Sequence, residues 1–353
     1  WDSMLPVTYD DVRDAQFRVH AVLKPTALIQ WPGLSGQLGC NLFLKHENHQ
    51  PVGAFKVRGG VNLVSRLTPS ERAGGILGCS TGNHGQSLAF ACRRFGARCT
   101  IVVPEGNNPD KNRAMRLLGA ELIEHGCDFD EAREYLEKVV QPKGGRYVHS
   151  ANEPMLIAGV GTMACEIFEQ LPDPDVILVP IGLGSGVCGT GIVTRHLRPE
   201  VKVIGVQAAG APAAYESWKE GHIVESRMET AAEGLGTRIG FELTQRILRD
   251  MLDDFVLVSE EEMARAIVRV NAPAPGMAGA VSVSGKDDSG SRHRLMPRLI
   301  GVAARHAGGA RCRLGRAAGS GVGGAELEDS MVSRALSKCW RRFVCDVRAR
   351  ATP

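Results

Sequence analysis

The sequence predicts an α/β fold in which parallel sheets are flanked by helices. Two observations predict it. Short apolar runs alternate with stretches of helical spacing from Gly74 onward, and two of those runs pass directly into glycine-rich turns that open helices. At 353 residues the chain can hold one large domain or two smaller ones. Apolar content of 43% and charged content of 23% are ordinary for a globular protein, and a net charge of +3 gives no ground for a polyanionic partner.

Taken in order, GGILG (74–78) reads as a strand, and Leu88, Ala89, Ala91, Cys92 and Phe95 carry helical spacing after it. STGNHG between them is therefore a strand-to-helix turn. Its outward N–H groups suit a carboxylate or phosphate, with Asn83 and His84 adding polar side chains, although an ordinary Ser/Asn-capped turn has the same composition. CTIVVP (99–104) is a strand, 110–118 a helix, ELIEHG a second strand, and FDEAREYLEKVV an amphipathic helix with Asp128 as N-cap. DVILVPIG is a buried strand that runs into glycines at 182, 184, 186, 189 and 191. Such glycines suit either a plain phosphate cradle or a dinucleotide fingerprint, and the latter needs an acid at the end of the next strand. That strand, VKVIGVQ, ends in Gln207, which favours the plain phosphate. From about Ala272 the alternation fades. GKDDSGSRHR reads as loop, residues 292–325 hold seven arginines and no acid, and helical spacing returns only at 325–339.

A third motif precedes these two. In PVGAFKVRGG (51–60), Lys56 stands directly behind Phe55 in a glycine-rich turn. A lysine there is either a surface residue or a sheltered amine. Beside an anion-binding turn that contains an asparagine and a phosphate cradle, the amine completes the set that pyridoxal phosphate requires: an amine, a phosphate cup, a donor to the ring hydroxyl and a carboxylate pocket.

HENHQPVGAFKVRGG, CSTGNHGQSLAFACRRFGARCTIVVPEGNNPDKNRAMRLLGAELI, EPMLIAGVGTMACEI, VPIGLGSGVCG, AAEGLGTRIG and VLVSEEEMARAI together resemble the threonine/serine dehydratase branch of the fold type II pyridoxal-phosphate enzymes, the superfamily of tryptophan synthase β. The resemblance runs from about Leu23 to about Val270. It implies two parallel-sheet α/β domains with the cofactor in the cleft between them: a large domain of residues 1–58 and 150–340, and a small inserted one of 59–149. It implies elimination of the hydroxyl from a β-hydroxy amino acid, L-threonine or L-serine, to give a 2-oxo acid and ammonia. Lys56 would be the Schiff-base lysine and the catalytic base, with Phe55 beside the ring. Asn83 would meet the ring hydroxyl. Gly182, Leu183, Gly184, Ser185 and Gly186 would hold the phosphate. Ser80, Thr81, Gly82 and His84 would surround the substrate carboxylate, largely through backbone N–H groups.

The sequence departs from the family pattern at four places. The cup is GLGSG where relatives often have consecutive glycines. Thr81 stands where many dehydratases have Ala or Ser, and where racemase relatives use a serine as second acid/base. Gln207 aligns with an acid that binds a divalent ion in some relatives, so no metal is expected there. Past Val270 no match is visible in the motifs, and Ser320 is the nearest candidate for the serine that meets the pyridine nitrogen. The abrupt stop, with 272–324 poorly matched, favours a changed reading frame over gradual divergence. Other readings with the same cofactor are an amino acid racemase, a dehydratase of 3-hydroxyaspartate or phenylserine, and a β-replacement synthase. A reading of another class is an inactive relative acting as a binding protein, against which Lys56 and Asn83 argue. The ten scattered cysteines form no CxxC pair, so reduced thiols and a cytoplasmic setting are expected. WDSMLPVTYDD has no leader pattern, and no run of eighteen apolar residues occurs, so no membrane contact is expected. The arginine-rich tail is read as loose surface, with no nucleic-acid partner. The family resemblance implies a homodimer.

Overall fold

The computed structural model describes residues 5–271 and 299–304. The first elements are α1 (Tyr9–His20), β1 (Leu28–Gln30), α2 (Pro32–Leu38), β2 (Asn41–His46) and α3 (Lys56–Ser65). Thr8 and Asp11 start α1 with a reciprocal capping box, which satisfies two otherwise orphaned N–H groups. A smaller sheet follows: α4 (Pro69–Gly74), β3 (Ile76–Cys79), α5 (Asn83–Phe95), β4 (Cys99–Val103), α6 (Pro109–Leu117), β5 (Glu121–Glu124), α7 (Phe129–Tyr135) and β6 (Arg146–Tyr147). Its strands lie in the order β5-β4-β3-β6 and pair in parallel. Asp128 caps α7 as its position predicts, accepting from Glu131 N at 3.0 Å. The expected single helix is shorter, because a π-helical turn at Leu136–Val140 takes over from α7.

The chain then forms α8 (Pro154–Gln170), β7 (Val176–Pro180), α9 (Ser185–Leu197), β8 (Lys202–Ala208), α10 (Ala213–Glu220), α11 (Glu242–Met251), β9 (Asp254–Val258), α12 (Glu260–Asn271) and β10 (Leu299–Ala304). The larger sheet has the order β1-β2-β10-β7-β8-β9. Strands β7, β8 and β9 are parallel, whereas β10 runs antiparallel to both β2 and β7, and β1 is antiparallel to β2. The expected α/β class with parallel sheets is present, and the larger sheet is mixed on its β1 side. The tail was expected to hold no clear strand up to residue 324, but LIGVAA forms β10 between β2 and β7. A central strand reads as a continuous apolar run without period, so alternation could not reveal it. Ser320 and the helix expected at 325–339 lie outside the described residues. Among the described residues no helix is long and apolar enough to cross a membrane.

Helix α8 is buried on nearly every face and packs on α1, α3 and α9. Its one buried acid, Glu166, anchors α3. Arg58, two residues after Lys56, donates to Glu166 (Nη1–Oε1 2.6 Å, Nη2–Oε2 2.8 Å) and to Glu47 (Nε–Oε2 and Nη2–Oε1, both 2.8 Å). Lys45 Nζ, on β2, adds 2.6 Å to Glu166 Oε2. All four side chains are fully buried, two cations against two anions. The first turn of α3 is thereby fixed on both carboxylates, and with it the backbone that carries Lys56.

Candidate active site

Three helices begin at one place. Lys56 is the first residue of α3, Asn83 of α5 and Ser185 of α9. Each opening turn presents N–H groups without intrahelical partners and the positive end of a helix dipole. Convergence of three such ends attracts an anion and disfavours an ammonium.

Lys56 links the three. Its Nζ donates to Ser185 Oγ at 2.8 Å, and Ser150 O lies 3.5 Å away. Its carbonyl accepts from Ser87 Oγ at 2.6 Å, and Ser87 is one turn along α5 from Asn83, on the same face. Burial pulls the Lys56 amine down to about 8. The side chain thus reaches the cup as an amine that loses its proton far more readily than an exposed lysine, and the surface reading of this lysine does not hold. Phe55 is the N-cap of α3, and a Cβ at Gly186 would come within 3.1 Å of its ring. The phenylalanine therefore rests on the cup as well as beside the lysine.

In the cup, Gly184 caps α9 with φ of 101°, a left-handed conformation that favours glycine. At Gly182 a Cβ would stand 2.5 Å from the Gly234 carbonyl oxygen, so this glycine is required by the packing of the AAEGLG loop. Ser185 is fully buried, with its hydroxyl turned to Lys56.

In the STGNH turn, Ser80 Oγ accepts from Gly82 N at 3.1 Å, so that N–H is already engaged. The unpaired donors lie one step further on, in the first turn of α5. His84 differs from expectation in its side chain: the buried ring donates Nε2–H to Val148 O at 3.1 Å, and burial drives its pKa down to about 3. The neutral ring is a strut, and only its backbone N–H, in the first turn of α5, is placed to meet an anion. Thr81 is half-buried beside Gly82. Gln207 is fully buried and its Oε1 accepts from Tyr215 N at 3.0 Å, which commits the amide oxygen to the start of α10. Among the described residues no group of three or more metal-ligating side chains is placed to hold an ion. Leu183 lies in the cup between Gly182 and Gly184, half-exposed.

Sequence reasoning missed Lys111. Its side chain lies across Gly82, where a Cβ would meet its Cδ at 2.9 Å and its Nζ at 3.3 Å. The ammonium forms a close ion pair with Glu233 of the AAEGLG loop, and Arg238 of the same loop pairs with Asp128 at 3.3 Å. The loop at 226–240 is thus fastened to α6 and to the N-cap of α7. A signal was present: Lys111 is a cation in the first turn of a helix, where the dipole disfavours it.

The residues present fit pyridoxal phosphate: an amine with a lowered pKa meets a helix N-terminus suited to an anion, with an asparagine opening the neighbouring helix. Comparison with known proteins agrees. The chain is 37% identical over 290 residues to an L-threonine ammonia-lyase of Thermotoga maritima, covering 80% of this chain and 72% of that protein. It is 33% identical over 304 residues to the catabolic L-threonine dehydratase TdcB of Escherichia coli, covering 84% and 92% respectively. The crystal structure of serine racemase from Dictyostelium discoideum superposes with a TM-score of 0.70 at 30% identity, covering 75% of this chain and 85% of that one. The dehydratase resemblance seen in the motifs is borne out. The family model described as "Pyridoxal-phosphate dependent enzyme" matches residues 19–295, which carries the match past Val270, where the motifs end. With that span covering most of the chain, and with the lysine, cup and asparagine assembled within it, this protein belongs to the pyridoxal-phosphate dependent enzyme family.

Proposed function

We propose that this enzyme eliminates the hydroxyl of a β-hydroxy amino acid, L-threonine or L-serine, to give a 2-oxo acid and ammonia. The observation that carries the reading is the reach of Lys56 Nζ into the cup, 2.8 Å from Ser185 Oγ. Lys56 anchors the cofactor, and its amine takes the proton from the substrate Cα. With Nζ titrating at about 8, about a tenth of the free amine is neutral at pH 7, and the share grows with pH. Residues Gly182 to Gly186 and the first turn of α9 hold the phosphate. Phe55 flanks the ring and Asn83 donates to its hydroxyl. The turn from Ser80 to His84, with the N–H groups that open α5, holds the substrate carboxylate. Pyridoxal phosphate, when bound, supplies an electron sink for the charge left at Cα. The reading includes metal-independent activity, since Gln207 brings a neutral amide where some relatives have an acid.

Several further points belong to the same proposal. The two sheets belong to two domains, residues 1–58 with 150–340 and residues 59–149, with the cofactor between them. The enzyme acts as a homodimer in the cytoplasm. The curated relatives named L-threonine ammonia-lyase and L-threonine dehydratase support the substrate class. A second reading, an amino acid racemase, draws on Thr81 beside the carboxylate turn and on the likeness to solved serine and aspartate racemases. The test is 2-oxo acid release from a panel of β-hydroxy amino acids, with chiral analysis of the unreacted substrate. Release from threonine or serine supports the lyase. Inversion at Cα without release would replace it with the racemase.

A further inference from the structure

The cup of this chain contains a serine at a position where a glycine suffices for close approach to an anion. Ser185 is 1% exposed. Its hydroxyl does not cap α9, because the N-cap is Gly184 and no side-chain cap is made there. Among the described residues, its one side-chain hydrogen bond is the one it accepts from Lys56 Nζ. A hydroxyl that accepts from an amine still has its own proton to donate. It sits in the first turn of α9, where the N–H groups and the helix dipole gather an anion.

We propose that Ser185 carries protons between Lys56 and the anion held in the cup. In one direction the Nζ–H bond breaks and a new Oγ–H bond forms, while the original Oγ–H proton passes to an anion oxygen. One proton moves from nitrogen to the anion, the serine is regenerated, and no electrons are transferred. This resets the lysine after it has taken a proton from substrate, and places that proton on the side of the site that holds the phosphate. Residues facing Lys56 from the other packed elements do not offer this path. His84 of α5 is a neutral ring committed to Val148 O, His149 precedes α8 and its ring nitrogen accepts from Ala151 N and Asn152 N, and the Cys188 thiol of α9 points to Thr244 O with its pKa pushed up by burial.

The kinetic part of this inference rests on the lyase reading, and its titration part rests on the chain alone. The experiment titrates Lys56 in the cofactor-free enzyme, by its rate of capture with pyridoxal and borohydride against pH. The titration is run with and without inorganic phosphate, for the wild type and for Ser185→Gly and Ser185→Ala. In the wild type, phosphate should raise the Lys56 midpoint by about one pH unit, through both its field and the hydroxyl bridge. In both variants the midpoint without phosphate should fall, because the ammonium loses its acceptor, and the phosphate shift should be less than about half as large. In the loaded enzyme both variants should keep the cofactor and KM within about twofold. They should lose at least about tenfold in kcat, with recovery in Ser185→Thr. Equal phosphate shifts in all three proteins, or full kcat in Ser185→Gly, would overturn the proposal. A wild type that releases no 2-oxo acid would refute the lyase reading, and the titration would still decide the role of Ser185.

Discussion

Replacing Glu166 by glutamine should unfold the enzyme more easily and weaken catalysis from a distance. Glu166 accepts from Lys45, Arg58, the Thr26 backbone and His20 (Nε2–Oε1 2.9 Å), all within hydrogen-bond distance. These partners hold its carboxyl at about 2 despite burial, against an ordinary value of 4.5. The gap corresponds to about 3 kcal/mol of native stability. An independent scale, about 3–5 kcal/mol for removing one partner of a buried ion pair, agrees. Lys45 moves the other way, its amine pushed down by its own burial against the pull of Glu166. Because the folded carboxyl titrates below the unfolded one, its contribution is complete above about pH 4.5 and is lost as pH falls through about 2. Urea unfolding at pH 7 should therefore cost Glu166→Gln about 3 kcal/mol. Lys45→Met added to Glu166→Gln restores the charge balance around Arg58 and should recover at least about half of the loss. The folded fraction of Glu166→Gln should also show lowered kcat, since Arg58 fixes the turn that carries Lys56. A loss below about 1 kcal/mol, or a difference that already shrinks between about pH 7 and pH 5, would refute the reasoning.

Other sites give sharper separations between binding and turnover. Gly184→Asp should prevent cofactor binding, because the position has φ of 101° and the side chain would meet Thr244 and the phosphate; equilibrium dialysis with pyridoxal phosphate checks it. Asn83→Ala should retain the cofactor and lose about fivefold to tenfold in kcat, as expected for one orienting hydrogen bond of about 1 kcal/mol. Glu233→Gln should remove one counter-charge from Lys111, so that added salt raises KM for the amino acid more steeply than in the wild type, as read from initial rates across ionic strength.

The parts of the site that were legible in the sequence are those where a backbone constraint leaves a residue signature. Glycines 182, 184 and 186 after an apolar strand marked β7 and the start of α9, and the STGNHG turn marked β3 and α5. Side-chain direction left no such mark. His84 turns inward to a carbonyl, which its place in the turn does not disclose. Lys45 follows the apolar run Leu42–Leu44 of β2, and its partner Glu166 lies 121 residues along the chain. Lys111 and Glu233 are 122 residues apart, so only the fold makes them a pair. β10 was missed because a central strand among glycines and arginines has no alternation to detect.

The central claim, that Lys56 is the amine that holds pyridoxal phosphate in the cup of α9, is tested most directly by reducing the loaded enzyme with borohydride and mapping the modified peptide. The protein should be yellow before reduction and lose that colour afterwards, with the cofactor mass fixed on Lys56. Lys56→Ala should take up no fixed cofactor and should have no turnover. A wild-type chain that stays colourless in pyridoxal phosphate, or that carries the reduced cofactor on any other lysine, would contradict the account.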